Sequence, residues 1–191
     1  MNILGIETCF GKCSICFFDG KTFHIKTEET KNLHRESLPK MLEEIISQQN
    51  FTIQNLNAIV VNHGPGTFTG IRIGIAFALG LSISSNIPLY GISTMEGVIT
   101  QELLNTTGVA IKAIGNFCYY QQFNKNGIAT KDPLYIEMEN IPQTPHLLTN
   151  CEIMLENSSF VNLPNAQNLI ERFLFIKPAL FEKPLYLRNA I

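Results

Sequence analysis

The chain has 191 residues, enough for one ordinary domain or two small lobes. With 45% hydrophobic and 16% charged residues it reads as globular, without a disordered or low-complexity block. A formal net charge of -2 gives no sign of a broad nucleic-acid-binding face and leaves open a local basic patch or RNA contact through a partner.

The opening MNILGIETC has no basic residue before its apolar run, and Glu7 ends that run early, so it does not read as a signal peptide. Residues 2–8, 13–18 and 22–27 read as three strands. Short turns join them at Phe10-Gly11-Lys12 and at Asp19-Gly20-Lys21, where Asp-Gly favours a tight hairpin. A helix follows from Asn32 or Ser37 to Gln48, with Leu38, Met41, Leu42, Ile45 and Ile46 as its apolar stripe. Pro39 fits only a first turn, which predicts a late or irregular start. Ala58 to Asn62 is a short β-branched strand and Leu89 to Ile92 another. Ser93 and Glu96 have capping-box spacing ahead of Val98, Ile99 and Leu103. Beyond Asn105 the pattern weakens. Val109–Ile114, Cys118–Phe123 and Leu134–Met138 read as strands, residues 139–164 resist assignment, and Asn165–Phe175 reads as a helix. The tail KPLYLRNAI reads as extended. Three antiparallel strands leading into alternating α and β units predict an α/β protein with mixed sheets flanked by helices.

Five cysteines show no framework spacing, and Cys13 and Cys16 lie in a strand where residues three apart face opposite sides. Buried free thiols are expected, not a metal site.

The most informative stretch is Asn62 to Leu81, NHGPGTFTGIRIGIAFALGL. Five residues lie between Gly64 and Gly70, where a phosphate loop has four, and Ile71-Arg72 follows, so its Lys-Ser/Thr is missing. Thr67 and Thr69 are placed to cap a helix whose only charge from Ile71 to Leu81 is Arg72. Gly70, Gly74 and Ala78 recur every fourth residue and make one face nearly bare of side chains. A helix apolar all round is buried, in its own core or against a partner. Some 13 apolar-rich residues suit that better than a membrane span, which needs about 20. The expectation is a soluble, cytoplasmic protein with no membrane contact.

NHGPGTFTGIRIGIAFALGL followed by IPLYGISTM resembles the TsaB (YeaZ) family. The opening ILGIETC, the segment HRESLP and the tail PLYLRN agree. The first hundred residues match closely and residues 105–180 only loosely. The resemblance implies an actin-like ATPase (ribonuclease H-like) fold of two related lobes, residues 1–104 for partner docking and a reduced lobe at 105–191. It implies a non-catalytic scaffold in making threonylcarbamoyladenosine at position 37 of tRNAs that read codons starting with A. There it docks on a catalytic TsaD-like paralogue through the N-terminal lobe, and a TsaE-like ATPase joins them. tRNA is met only indirectly, and ATP belongs to the complex, with none assigned to this chain alone. A homodimer through the N-terminal helices is expected when the partner is absent.

The interface residues expected on this basis are His34, Leu38, Gly70, Arg72, Gly74, Phe77 and Ala78, with Gly74→Leu breaking the complex but not the fold. Arg72 has two readings, a pair within its own fold or a reach across the interface. His34 shares a helical face with Leu38 and reads first as a packing histidine. Glu7 and Thr8 stand where actin-like ATPases serve metal and phosphate. Nucleotide contact there competes with a sheet-end carboxylate held by backbone N–H groups. No two of His24, His34, His63 and His146 stand four apart, the spacing of the metal-binding pair in TsaD-like proteins. Gly115-Asn116-Phe117 replaces the family's Asp-Ala-Arg, removing a charged clamp. The alternative reading is a self-sufficient enzyme, an actin-like phosphotransferase or a glycoprotease-like hydrolase.

Overall fold

The computed structural model describes residues 1–29, 34–100, 105–151, 157–178 and 180–185, with backbone only at 34 and 35. Strands β1 (Ile3–Glu7), β2 (Lys12–Phe18) and β3 (Phe23–Glu29) form an antiparallel meander. Helix α1 (His34–Gln49) leads to β4 (Ala58–Asn62), and α2 (Phe68–Ser85) leads to β5 (Leu89–Ile92). β4 runs parallel to β1 and β5 parallel to β4, giving the order β3-β2-β1-β4-β5.

The second half repeats this plan. β6 (Gly108–Lys112), β7 (Phe117–Gln122) and β8 (Leu134–Glu137) form an antiparallel meander. β9 (Leu147–Thr149) and β10 (Ser158–Phe160) then add in parallel beyond β6. The order β10-β9-β6-β7-β8 is the first sheet's order read backwards, strand for strand. Two lobes of one topology result, the actin-like (ribonuclease H-like) arrangement. The second is reduced: a single 3₁₀ turn, Met138–Asn140, lies between β8 and β9, where the first lobe has α1.

One face of the first sheet packs Leu4, Ile6, Ile15, Phe17, Ile59 and Val61 against α1 and α2. The other face, Ile3, Cys16, Ala58, Val60 and Ile92, is covered by α4 (Ala166–Ile176) through Leu169, Ile170 and Phe173. Each of those side chains contributes about 1.5–3 kcal/mol on burial. Ser14 Oγ accepts from Ala166 N at 2.9 Å, and a Cβ on Gly5 would run into Ala166 O, so α4 lies directly on β1 and β2. Conversely, α3 (Thr94–Gly97) and its continuation bring Met95, Val98 and Ile99 into the core of the second sheet with Val109, Ile111, Tyr119 and Leu148. The lobes therefore exchange covers. A cut between 104 and 105 divides the two sheets, but it strands α4 on the wrong side, because that helix buries its apolar face in the first lobe.

Other boundaries are corrected too. Pro39 sits at the sixth residue of α1, so the helix starts early and forgoes one backbone hydrogen bond. Val98 is the C-cap of α3 and is not within a longer helix, and Leu103 lies outside the described residues. α2 spans 18 residues, long and apolar enough by those measures to cross a membrane. It packs on its own sheet through Gly70, Ile71, Gly74, Ile75 and Ala78. All five cysteines are free and buried, with Cys13 and Cys16 on opposite faces of the first sheet.

Candidate functional site

Parallel strands β1 and β4 end side by side, and their last residues meet the glycine turn there. Glu7 is 4% exposed. Its Oε1 accepts from Cys9 N at 2.5 Å, and its Oε2 accepts from Asn62 Nδ2. Asn62 Oδ1 accepts from Gly64 N at 2.9 Å and from Thr94 Oγ1 at 3.1 Å; that hydroxyl also lies 2.6 Å from Pro65 O. One carboxylate and one amide thus tie β1, β4, the glycine turn and the start of α3 together. Burial pushes the Glu7 carboxyl up to about 7, against the hydrogen bonds from Cys9 and Asn62, which favour its charged form.

Thr8 is 1% exposed, and its hydroxyl donates to Gly70 O at 2.7 Å. Thr67 N donates to Cys9 O at 2.8 Å, and Thr67 Oγ1 caps α2 by accepting from Gly70 N at 3.2 Å. This seat is what the small residues serve. A Cβ on Gly70 would collide with Thr8 O, one on Gly66 would lie 2.7 Å from Cys9 Cβ, and one on Gly74 would collide with Thr8 Oγ1. Gly64 also takes φ +109, a left-handed conformation that glycine supplies.

The side chains of Glu7 and Thr8 are committed within the fold, and neither is turned to a ligand. Across in the second lobe, the Ala113–Phe117 turn carries no charge, and Phe117 stacks on Tyr135 with ring centroids 4.9 Å apart. The sheet-end-carboxylate reading of Glu7 is the one the geometry follows.

The expected interface residues separate into three groups. Gly70, Gly74 and Ala78 are buried against the chain's own β1 end and first-sheet core, and Leu38 is buried beneath α1. They do not form a free face, because the bare stripe is used to bring α2 down onto Thr8. Arg72 is exposed, with its guanidinium carbon 3.6 Å from the centre of the Phe68 ring, a cation–π contact on the helix surface. Phe77 is half-buried at the helix flank. The side chain of His34 lies outside the described residues; its backbone begins α1.

The exposed face of α2 carries a second small-residue stripe. Ala76 and Gly80 are exposed, four apart, and a Cβ on Gly80 would meet nothing within 4 Å. Phe68 at 40%, Leu79 at 36% and Ile83 at 78% exposure line one side of this stripe, and half-buried Ile73 and Phe77 the other. Apart from Arg72, Thr69 and Ser84, the outward half of the helix is therefore apolar, low in relief and open to solvent.

The sequence reading also missed three residues. Asn62 carried a legible signal, a polar side chain closing a β-branched strand before a glycine turn. Thr94 and His63 carried none, since their partners lie about thirty residues or more away.

Comparison with known proteins agrees with this architecture. The model of a family described as TsaD, tRNA N6-adenosine threonylcarbamoyltransferase, matches residues 24–146, more than half of the chain. A tRNA threonylcarbamoyladenosine biosynthesis protein TsaB from Buchnera aphidicola subsp. Acyrthosiphon pisum is 28% identical over 211 residues, covering 99% of this chain and 95% of that protein. TsaB of Escherichia coli strain K12 is 33% identical over 95 residues, 50% of this chain and 41% of that protein. YeaZ from Pseudomonas aeruginosa superposes with a TM-score of 0.80 over 97% of this chain and 99% of its own, and at 20% identity it speaks for the fold. The twin sheets with exchanged covers thus define a TsaD-type protein of actin-like fold. Within that class, the chain belongs to the TsaB (YeaZ) family.

Proposed function

We propose that this chain takes part in tRNA threonylcarbamoyladenosine biosynthesis as a non-catalytic scaffold subunit. In this reading it docks on and activates a TsaD-like catalytic paralogue. That paralogue forms N6-threonylcarbamoyladenosine at position 37 of tRNAs reading codons that begin with A. The names of the relatives support the pathway. The observation that carries the docking role is the outward face of α2, apolar, exposed and nearly flat at Ala76 and Gly80. Small side chains there allow a partner helix to approach closely, and the flanking Ile73, Phe77, Leu79 and Ile83 supply apolar area to cover. Committed side chains at Glu7 and Thr8 support a partner over a self-sufficient phosphotransferase. A TsaE-like ATPase completes the assembly, tRNA is contacted through the partner, and any ATP belongs to the complex. In the partner's absence the same face pairs two copies of this chain.

The test is co-purification of the TsaD-like protein with the double variant Ala76→Lys, Ile83→Lys. Both positions are exposed, so stability stays within about 0.5 kcal/mol of the parent. The expected result is loss of the partner from the complex. Undiminished co-purification refutes docking through this face.

A further inference from the structure

Residues 180–185 leave α4 and return along the edge of the first sheet, where one residue fastens them. Leu180 bridges Tyr90 in antiparallel fashion, and Phe181 N donates to Leu89 O at 2.8 Å. Four residues on, Leu185 N donates to His63 O at 2.7 Å. Between these points the His63 ring hydrogen-bonds to the backbone of Lys183, and Phe181 meets the ring edge-on at 6.3 Å and 85°. Leu185 O fills the space over Gly64, where a Cβ would lie 2.5 Å from it. Leu180, Glu182 and Lys183 are exposed, so the strap is held by backbone bonds and by His63 more than by burial.

The ring itself is half satisfied. Nδ1 is buried and has no partner among the described residues, which leaves Nε2 as the nitrogen that donates to the Lys183 carbonyl. We propose that His63 is a proton-operated latch: as a neutral imidazole it holds the strap over the glycine turn, and on taking a second proton it releases the strap. A second proton would place an N–H on Nδ1 in a buried spot where the described residues offer no acceptor, whereas an open strap lets water reach it. Of the charged groups on the elements around the ring, Glu96 on α3 faces it and favours the charged form. Glu182 and Lys183 on the strap are exposed, and β5 brings only Tyr90 and Gly91. Burial outweighs Glu96 and the Lys183 carbonyl, so the closed latch holds its second proton less readily than an ordinary histidine. The sign follows: the hold is complete above pH 6.5, the ordinary value, and weakens as pH falls through the latch's own lower value. Between the two, the open-to-closed ratio rises about tenfold per pH unit. Opening uncovers the β5 edge and the backbone of Gly64.

Amide hydrogen exchange on the full chain, corrected for intrinsic rates, tests this at about pH 7.5 and about pH 5.5. At the lower pH, protection at Phe181 and Leu185 falls by up to about tenfold, while Glu7 moves Ile6 and Val61 the other way, toward greater protection. In His63→Gln, whose amide can still donate to Lys183 O but does not titrate, protection at Phe181 and Leu185 stays flat. In His63→Ala, the strap amides lose protection at both pH values while Ile6 and Val61 keep theirs; should this variant not fold, the Gln variant decides. A strap whose protection does not fall with pH in the parent, or falls equally in His63→Gln, overturns the latch.

Discussion

Two glycines of one helix are expected to respond with opposite sign to the same substitution. In Gly80→Ala the added methyl enters open space, and the helix gains about 0.5–1 kcal/mol from the lost freedom of glycine. Gly74→Ala makes the same gain, but its methyl lands on Thr8 Oγ1, a buried hydroxyl bonded to Gly70 O at 2.7 Å. Thr8 is short and β-branched, so it can yield only by giving up that bond or by lifting α2. Overpacking costs about 1–3 kcal/mol and a buried hydroxyl without a partner about 1–3 more. The net is a loss of about 2 kcal/mol for Gly74→Ala, some 3 kcal/mol below Gly80→Ala. Urea unfolding reads this directly, because a slope of about 2 kcal/mol/M separates the midpoints by about 1.5 M. If both variants gain stability alike, then Gly74 does not face Thr8, and the stripe of Gly70, Gly74 and Ala78 regains its claim as an outward docking face.

Glu7 makes stability depend on pH in a direction unusual for a carboxylate. Its folded-state value, about 7, lies above the ordinary 4.5, so its contribution is fully present below pH 4.5 and is lost as pH rises through 7, about 3 kcal/mol in all. Urea unfolding of Glu7→Gln is expected to lose that slope, and a slope identical to the parent's would refute the assignment. Arg172 of α4 is 3% exposed and donates from Nη2 to Gly127 O in the second lobe, while its Nε has no partner among the described residues. Arg172→Ala removes this tie between the lobes and opens a cavity, a loss of about 3 kcal/mol; Arg172→Met fills the space without a charge to desolvate and loses less. Equal unfolding midpoints for the two variants would contradict this.

The first hundred residues were legible because their signals are local. The Asp-Gly hairpin, Thr67 as cap, the Ser93–Glu96 capping box and the β5 boundaries all depend on neighbours within a few residues, and all stand in the structure. β9 and β10 escaped because each is three residues long, too short for alternation to register. The inward turn of Gly70, Gly74 and Ala78 could not be read from the helix alone. α2 bears small residues on two faces, and only the position of Thr8, some sixty residues earlier, decides which one meets the sheet. The closed network at Glu7 has the same cause, since Asn62 and Thr94 reach it from two other elements.

The exchange of covers between lobes bears on how the protein is born. One face of the first sheet stays bare until residues 166–176 arrive, and Ala166 is made 152 residues after the Ser14 it bonds. While translation proceeds, Ile3, Cys16 and Val60 therefore wait on an uncovered sheet, and the first lobe cannot settle ahead of the second. Covering that face takes a long-range closure joining Ser14 to Ala166, slow by the usual relation between sequence separation and rate. A nascent chain arrested before residue 166 should thus present chaperones with the face that α4 hides in the finished molecule.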